Sequence, residues 1–481
     1  MRFRTTISLI LVLSVVGLSY EIAAGRVLAP FFGTSLVTWT VVIATVLAGF
    51  SLGSALGGLI AEQERHVALR RVRAALVATA VLMAVSPTVI GALYAMGARG
   101  TGGMILAVFV AFFPGSVLVT LPSPLLAKLA VEARPGREGS SLGLVLAAGS
   151  LGAIFGAVLA GFVTLPLIGS AATFAGCGAA ALLCVPFLRG AEPASAGSVG
   201  PAAVVVAVSV LTGPVCKYES GLSCIDAVRR GSTVHLYADR TAQAAERIGQ
   251  ADQESLPGLV MPYTEWLWAR MDRDLGPAPS VLFIGGGGYT LPTRLLSMRP
   301  NAEAVAVEID PLVTWTVRQH MPGAGAMIER EGYDASADAP RGETDRLGIA
   351  HADGRVYINE TERRFDAVVM DAFSSGSVPA HLATLETYDR LTEISDGPVY
   401  VNLIDAPDGP LARGLNAILA SHYPYVESVQ GPVSTRGLAN ILLAASRHPL
   451  IPLESLPANY AAVKIAAGRA FTDDRGWVGH R

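Results

Sequence analysis

The chain has 481 residues, of which 51% are hydrophobic and only 16% are charged, and its mean hydropathy is +0.46. These values exclude an average soluble enzyme and predict a membrane protein. The formal net charge of −3 does not favour a nucleic-acid partner, and none is expected. Because the apolar excess ends near residue 213, we predict a transmembrane helical domain over 1–200 and a water-soluble domain over 214–481.

Six apolar windows in the first domain are long enough to cross a bilayer, which needs about 20 residues. They are residues 5–28, 35–60, 73–96, 102–130, 141–165 and 168–188, and the junction with the second domain is expected within 191–202. The segment 202–213 is apolar but short. It is consistent with a short seventh span, an interfacial segment or a buried strand.

Basic residues set the expected topology, because the cytoplasmic turns of membrane proteins carry more Lys and Arg. Clusters follow the second and fourth windows, at Arg65, Arg70, Arg71 and Arg73 and at Arg134 and Arg137. Six spans then place the N-terminus and the soluble domain in the cytoplasm, whereas a true seventh span places the soluble domain outside.

Two ionisable residues lie in the first span, and four cysteines lie in or after the last apolar windows. Glu21 and Arg26 lie in the first span, where a structural ion pair or interfacial anchor is favoured over a transport path. Cys177 is expected to pack as a small apolar residue, as is Cys184. The spacing of Cys216 and Cys224 would suit a hairpin disulfide, and the histidines and cysteines form no metal-binding pattern, so no metal is expected.

The second domain alternates short apolar runs with helical stretches. The runs VLFIG, AVAVEI, AVVMDAF and PVYVNLI each end at glycine, acidic or polar residues, as parallel strands with functional loops do. We predict a doubly wound α/β, Rossmann-like domain. The earlier segment STVHLYADR predicts a small β-subdomain before it.

Three features of this domain together predict a nucleoside site. Gly285, Gly286, Gly287 and Gly288 follow a strand and precede a helix, which lets a ligand approach the backbone. Glu308 follows the next strand, at the spacing where an acidic residue takes both ribose hydroxyls. Asp353 comes in the loop after a third strand, where an adenine amino group would lie.

These residues resemble the spermidine and spermine synthase family, whose fold is close to that of S-adenosylmethionine-dependent methyltransferases. The resemblance covers about residues 216–445, and the first domain is similar to the multi-span domain fused to some bacterial members. It implies that a sulfonium nucleoside is held by Gly285 to Gly287, Glu308, Asp353 with Gly354, and Asp371. The segment YTEWL, from Tyr263, resembles the family's Tyr-x-Glu segment.

The departures from the family pattern concern acidic groups. The family's Gly-Gly-Gly-Asp-Gly loop has Gly288 and Tyr289 at its last two positions here, and the second aspartate of the later loop is replaced by Ser374. A family glutamine is replaced by Ser223. Loss of the loop aspartate is expected to admit a donor that keeps its carboxylate, and loss of acidic groups disfavours a dicationic amine.

We therefore expect a membrane S-adenosylmethionine lyase, in which the donor's own carboxylate attacks the γ-carbon and releases 5′-methylthioadenosine and homoserine lactone. Tyr289 and Tyr263 would shape the donor tail and hold its carboxylate, and Asp371 would hold its ammonium. The alternatives are an aminopropyltransferase using decarboxylated S-adenosylmethionine and putrescine, a methyltransferase, and a non-enzymatic membrane sensor or transporter, to which Glu21 gives most support.

The remaining expectations follow from the resemblance. S-Adenosylmethionine is a substrate and no separate cofactor is expected. The lipid bilayer is a partner, a homodimer is the family habit, and the location is a bacterial inner membrane with the soluble domain in the cytoplasm. His381 is expected to shape the loop after the Asp371 strand, and the tail 470–480 is considered as a lid.

Overall fold

The computed structural model describes residues 2–33, 35–188, 196–211, 216–248, 259–336, 345–372, 379–435 and 437–476. The chain forms two compact units, a helical unit over Met1–Cys224 and an α/β unit over Ile225–Arg481. Part of the predicted junction, residues 191–195, lies outside the described residues.

The helical unit contains eight described α-helices. They are α1 (Phe3–Phe32), α2 (Leu36–Ala61), α3 (Arg65–Ala95), α4 (Gly100–Thr120), α5 (Pro122–Glu132), α6 (Glu138–Val158), α7 (Leu165–Cys184) and α8 (Ala196–Leu211). Among the described residues, five helical segments are long and apolar enough to cross a membrane, which agrees with a membrane protein. Large apolar side chains such as Leu59 on α2 and Phe162 after α6 are exposed on the outside of this unit.

The predicted spans 141–165 and 168–188 lie within one long apolar segment, the fifth, that contains a break. The segment Glu138–Phe187 contains α6, a π-helical turn at Leu159–Thr164, and α7. A straight helix of these 50 residues would be about 75 Å long, over twice the hydrocarbon thickness. The backbone is non-helical at Gly169, with φ 76° and ψ 175°, so the segment consists of two stretches that meet there.

Close helix packing depends on small residues at the points where helices meet. A Cβ on Gly53 of α2 would lie 2.1 Å from the carbonyl oxygen of Val117 in α4. A Cβ on Gly156 of α6 would lie 2.4 Å from the carbonyl oxygen of Val15 in α1. These glycines therefore let helices of one chain touch along their backbones.

The segment 202–213 is helical up to Leu211, which excludes the buried strand among the three alternatives considered for it. Its last residues, 212 and 213, lie outside the described residues. Beyond it, Cys216 and Cys224 form a disulfide with a Cα–Cα distance of 5.4 Å, and the short strand β1 (Tyr218–Glu219) lies inside the loop that they close. The pairing suggested by the cysteine spacing is therefore confirmed.

Contacts of Arg26 favour the structural interpretation of this residue. Its Nε donates to the carbonyl oxygen of Ser220 at 3.2 Å and lies 3.9 Å from a carboxylate oxygen of Glu219. Arg26 and Glu219 side chains are both nearly fully buried. The buried ion pair therefore joins Arg26 to the disulfide loop, and its carboxylate comes from Glu219 rather than from Glu21.

The α/β unit begins with an antiparallel sheet and continues into a nine-stranded mixed sheet. The predicted small β-subdomain is confirmed by β2 (Cys224–Arg230), β3 (Thr233–Ala238) and β4 (Thr241–Arg247). The large sheet has the order β13-β11-β12-β10-β9-β5-β6-β8-β7. Its strands are β5 (Ser280–Ile284), β6 (Glu303–Val307), β7 (Gly332–Asp334), β8 (Leu347–Ala350), β9 (Ala367–Met370), β10 (Val399–Asp405), β11 (Tyr425–Gln430), β12 (Ala439–Ser446) and β13 (Ala461–Ala462).

The strands from β10 to β7 are parallel to their neighbours, whereas β12, β11 and β13 pair antiparallel at one side. The helices between and beside them are α9 (Pro262–Asp274), α10 (Thr290–Met298), α11 (Pro311–His320), α12 (Pro322–Glu331), α13 (Gly354–Glu360), α14 (Leu385–Ile394) and α15 (Pro410–His422). The central strands are buried along their length, as in a sheet covered on both faces. The predicted α/β Rossmann-like architecture is confirmed.

Candidate nucleoside site

The strand order places the candidate site at the point where the chain reverses direction across the sheet. From β5 the chain moves outward to β6 and the edge strand β7, turns back into β8 between them, and then crosses to β9 on the other side of β5. Ile284 at the end of β5 pairs in register with Val307 of β6 and Met370 of β9. Ligands of open α/β sheets bind outside the carboxyl ends of the strands at this position.

The glycine loop after β5 is shaped by contacts that a side chain would prevent. Gly285 has φ 102° and Gly287 has φ 48°, both in the region that favours glycine. A Cβ on Gly285 would lie 2.6 Å from the carbonyl oxygen of Asp371. A Cβ on Gly286 would lie 2.9 Å from the ring of Tyr289. The loop thus passes directly beside the end of β9.

Glu308 lies under the glycine loop. Its Oε2 accepts hydrogen bonds from the backbone N–H groups of Gly286 and Gly287, both at 3.1 Å, and its Oε1 accepts from the N–H of Asp310 at 3.0 Å. Burial raises the pKa of Glu308 to about 7, while these backbone donors oppose the shift. Oε2 thus already accepts two hydrogen bonds, whereas Oε1 accepts one and has a second lone pair that could accept a ribose hydroxyl.

Asp353 and Gly354 connect the loop after β8 to α13. One carboxylate oxygen of Asp353 caps α13 by accepting from the N–H groups of Arg355 and Val356, at 2.8 and 3.3 Å. The other lies 3.0 Å from Nε2 of His381. A Cβ on Gly354 would lie 2.6 Å from Cγ2 of Ile284, so α13 starts against the end of β5.

Asp371 follows β9 and has the most chemically useful environment in the site. Its Oδ1 accepts a hydrogen bond from Nδ2 of Asn402 at 2.7 Å, and Oδ1 of Asn402 accepts from Nδ2 of Asn440 at 3.0 Å. The Tyr263 hydroxyl also lies within hydrogen-bond reach of the carboxylate. Burial raises the pKa of Asp371 to about 7, against the opposing effect of these hydrogen bonds.

The sequence analysis missed the two asparagines. Asn402 belongs to β10 and Asn440 to β12, the antiparallel neighbour of β10. Asn402 gives a signal, because it is a single buried amide within the apolar run VYVNLI, whereas Asn440 is only partly buried near the start of β12 and gives none.

Tyr263 begins α9 and contacts both sheets of the unit. Its hydroxyl donates to the carbonyl oxygen of Gln243 in β4 at 3.1 Å. Burial raises the pKa of this hydroxyl well above its ordinary range, and the charge of Asp371 adds to the shift. The structure therefore brings Tyr263 and Asp371 together.

The structure does not place Tyr289 as the lyase hypothesis requires. Tyr289 has φ 55°, is fully buried, and its hydroxyl is 2.7 Å from Oγ1 of Thr314, which in turn is 3.0 Å from Nε2 of His351. The expected role in covering the donor tail needs a correction, because the ring packs under Gly286 instead.

Gly288 is also fixed by packing, since a Cβ there would lie 2.2 Å from Cβ of Ala244. The space that an aspartate would need is therefore filled by β4. The predicted departure at Ser374 falls within residues 373–378, outside the described residues. Ser223 lies in the disulfide loop, where its carbonyl oxygen accepts the N–H of Ser220.

The tail considered as a lid is docked through residues 471–473. Phe471 is buried, and its carbonyl oxygen accepts the N–H of Leu385 at the start of α14. A carboxylate oxygen of Asp473 lies 3.1 Å from the Arg355 guanidinium of α13.

Comparisons with known proteins give partial matches. No protein-family model matches the chain. The chain is 33% identical over 125 residues to a polyamine aminopropyltransferase from Korarchaeum cryptofilum. This match covers 25% of the chain and 34% of the relative. The chain is 28% identical over 152 residues to a polyamine aminopropyltransferase from Vibrio vulnificus, and this match covers 30% and 44%. The chain thus spans less than half the length of these two relatives.

Among solved structures, a probable spermidine synthase from Corynebacterium glutamicum is similar, with a TM-score of 0.44 and 18% identity over 54% of this chain and 97% of that one. A spermidine synthase from Thermotoga maritima has a TM-score of 0.35 and 17% identity over 53% and 79%. The chain is therefore similar, over part of its length, to proteins named polyamine aminopropyltransferase.

Proposed function

We propose that the α/β unit is an enzyme that binds an adenosyl sulfonium compound and breaks its Cγ–S bond, releasing 5′-methylthioadenosine. The glycine loop and Glu308 would hold the nucleoside at the carboxyl ends of β5 and β6. Asp371 lies beside the same loop, where the reacting carbon would be held. In this proposal the compound is a substrate, and the helical unit anchors the enzyme in a lipid bilayer.

Aminopropyl transfer from decarboxylated S-adenosylmethionine to an amine is the first candidate reaction. The observation that carries it is Asp371, a buried carboxylate with a pKa raised to about 7 and oriented by Asn402. An attacking amine must lose a proton, and a general base works best when its pKa lies near the operating pH. The amine nitrogen would attack Cγ, the neutral thioether would leave with the bonding electron pair, and Asp371 would take the amine proton.

The lyase reaction of S-adenosylmethionine is the second candidate. Gly288 favours it, because no acidic side chain fits beside Ala244 to repel a donor carboxylate. Intramolecular attack by that carboxylate needs no base, so it leaves the raised pKa of Asp371 unused. The relatives named polyamine aminopropyltransferase also support the first candidate.

One set of incubations separates the candidates. Purified full-length protein is mixed with S-adenosylmethionine alone, or with decarboxylated S-adenosylmethionine and putrescine, and the small molecules are measured by mass spectrometry. We expect methylthioadenosine and spermidine only in the second mixture. Methylthioadenosine with homoserine lactone in the first mixture would establish the lyase instead, and methylated product with S-adenosylhomocysteine would indicate a methyltransferase.

A matched pair of variants tests the site. Asp371→Asn should abolish turnover, whereas Asp396→Asn, at an exposed carboxylate that pairs with Arg364, should keep it. If both variants retain full turnover, Asp371 is not the base and the proposed function loses its main support. If the wild-type protein turns over nothing but moves labelled polyamine across vesicles, the transporter hypothesis replaces it.

A further inference from the structure

The two ends of the helical unit are distinguished by contacts between helix termini. At one end the Arg134 guanidinium lies 3.6 Å from the ring centroid of Phe3, and Lys128 Nζ donates to the carbonyl oxygen of Ala61 at 2.7 Å. At the same end Arg73 Nε donates to the carbonyl oxygen of Leu188 at 2.6 Å. We call this end, which also carries the start of α1, the N-terminal face.

The opposite face carries the other ends of the same helices. The ring of Phe32, at the end of α1, lies 5.7 Å from the ring of Tyr94, at the end of α3. The break at Gly169 between the two stretches of the fifth segment lies beside Glu219, whose carboxylate would be 2.9 Å from a Cβ on this glycine. Arg26, near the end of α1, holds Glu219 as described above. The disulfide loop therefore lies at the opposite face.

Helix α8 runs from the N-terminal face towards the opposite face. Val199, near its start, packs against the cluster that contains Val72 and Leu188. About two helical turns later, Val206 packs with Ala80 of α3, and one of its methyl carbons lies 3.3 Å from a Cβ placed on Gly178. The 16 residues of α8 span about 24 Å, which is about 6 Å less than the typical hydrocarbon thickness of about 30 Å, and α8 is shorter than the five segments counted above. Since the described chain resumes at Cys216 on the opposite face, α8 crosses the unit.

The distribution of basic residues assigns the N-terminal face to the cytoplasm. This face carries Arg2, Arg4, Arg65, Arg70, Arg71, Arg73, Lys128, Arg134 and Arg137. The turns of the opposite face carry Arg99 and, in the disulfide loop, Lys217. Lys and Arg are enriched in cytoplasmic turns, so the opposite face is the extracytoplasmic one.

The disulfide gives an independent indication of the compartment. Disulfides form and persist outside the cytoplasm and are rare inside it, where thiols are kept reduced. The bond between Cys216 and Cys224 closes the loop that lies on the opposite face. Charge distribution and redox chemistry therefore assign the same side of the membrane to this loop.

We propose that α8 is a seventh membrane crossing and that the α/β unit lies in the extracytoplasmic compartment. The chain passes from Cys224 directly into β2, and the described residues after Leu211 contain no further helix long and apolar enough to return it. This assignment replaces the cytoplasmic location expected from sequence. It also restricts the substrate to molecules that are present in, or exported to, that compartment.

The test measures sidedness in whole cells with full-length single-residue variants. Glu329→Cys places a thiol on an exposed position of α12, and Arg71→Cys places one on an exposed position of the N-terminal face. Of the native cysteines, Cys177 and Cys184 are buried, and the other two are joined in the disulfide, so the parent chain serves as the background control. Spheroplasts are treated with a membrane-impermeant maleimide before or after lysis, with a cytoplasmic host protein as the leak control.

We expect Glu329→Cys to be labelled equally before and after lysis, and Arg71→Cys to be labelled only after lysis. Labelling of Glu329→Cys only after lysis would overturn the proposal, as would labelling of Arg71→Cys in intact spheroplasts. A second measurement is alkylation of the denatured parent chain without reductant. Protection of Cys216 and Cys224 until reductant is added supports the proposal, and free thiols at both positions contradict it. Neither measurement depends on catalysis, so a failure here is distinct from a failure of the proposed function.

Discussion

The raised pKa of Asp371 predicts that Asp371→Asn increases the stability of the protein at higher pH while it abolishes turnover. Asp371→Asn keeps the shape of the side chain and an oxygen that accepts from Asn402, but it removes the titrating carboxyl. The folded-state pKa of about 7 lies above the ordinary value of 3.8. Between these two values the folded protein binds more protons than the unfolded chain, so burial of Asp371 lowers stability progressively as the pH rises.

The size of the effect follows from this shift. With the two pKa values above, the cost of the buried carboxylate grows by about 2.5 kcal/mol between pH 5 and pH 8. The stability advantage of Asp371→Asn over wild type should grow by that amount across the same window, because all other titrating groups are shared. Above the folded pKa the advantage should become constant.

The assay is thermal unfolding of both proteins in the same detergent at pH 5, 6, 7 and 8. The difference in midpoint temperature should widen with pH, while turnover of the variant is lost at every pH. The kcat/KM of the wild type should rise through pH 7 as the base ionises. A difference in midpoint that stays flat from pH 5 to pH 8 would refute the raised pKa and with it the proposed role as a base.

Three further substitutions test the rest of the site. Gly288→Ala should destabilise the protein by about 1–3 kcal/mol in thermal unfolding, because its Cβ meets β4, whereas Gly276→Ala, with no described atom within 4 Å of its Cβ, should not. Glu308→Gln should weaken methylthioadenosine binding in calorimetry by about tenfold or more, while Glu303→Gln at the other end of β6 should leave it unchanged. Tyr289→Phe should cost about 1 kcal/mol of stability and keep kcat, and a large loss of kcat would restore the predicted contact of Tyr289 with the donor.

Local patterns were sufficient to predict the parallel strands β5, β6, β9 and β10 and the loops that surround the site. Each apolar run became a strand, and parallel strands bring their carboxyl ends to one edge of a sheet. The glycine run after β5, Glu308 after β6 and Asp371 after β9 therefore had to lie near one another. The predicted nucleoside site required only that these residues lie close together.

The direction of a side chain within a loop could not be predicted in the same way. Tyr289 adopts a left-handed backbone conformation, which turns its ring under the loop towards Thr314. Nothing in the order of residues indicates this, because the conformation depends on the packing of α10 and α11. Asn440 was missed for a related reason, since its place beside Asn402 depends on the register between β10 and β12.

Hydropathy alone did not show how α6 continues into α7 or whether the segment 202–213 crosses the membrane. An apolar window gives length and composition, but it does not show whether a helix ends or continues through a π-helical turn, as it does after α6. Likewise, the window at 202–213 became interpretable only when the contacts of Val199 and Val206 gave α8 a direction.

The hydroxyl of Tyr263 has a single hydrogen atom and two acceptors. It donates to the carbonyl oxygen of Gln243, and it also lies within reach of Asp371. When Asp371 is protonated, its own hydrogen can point to the tyrosine oxygen and the bond to Gln243 is kept. When Asp371 loses that hydrogen, the stronger acceptor is the carboxylate, and the tyrosine hydrogen turns to it. The hydrogen bond from Tyr263 to the carbonyl oxygen of Gln243 would therefore form when Asp371 takes up a proton and break when Asp371 loses it. In this way the charge of Asp371 is linked to the β4 strand through the rotation of one hydroxyl.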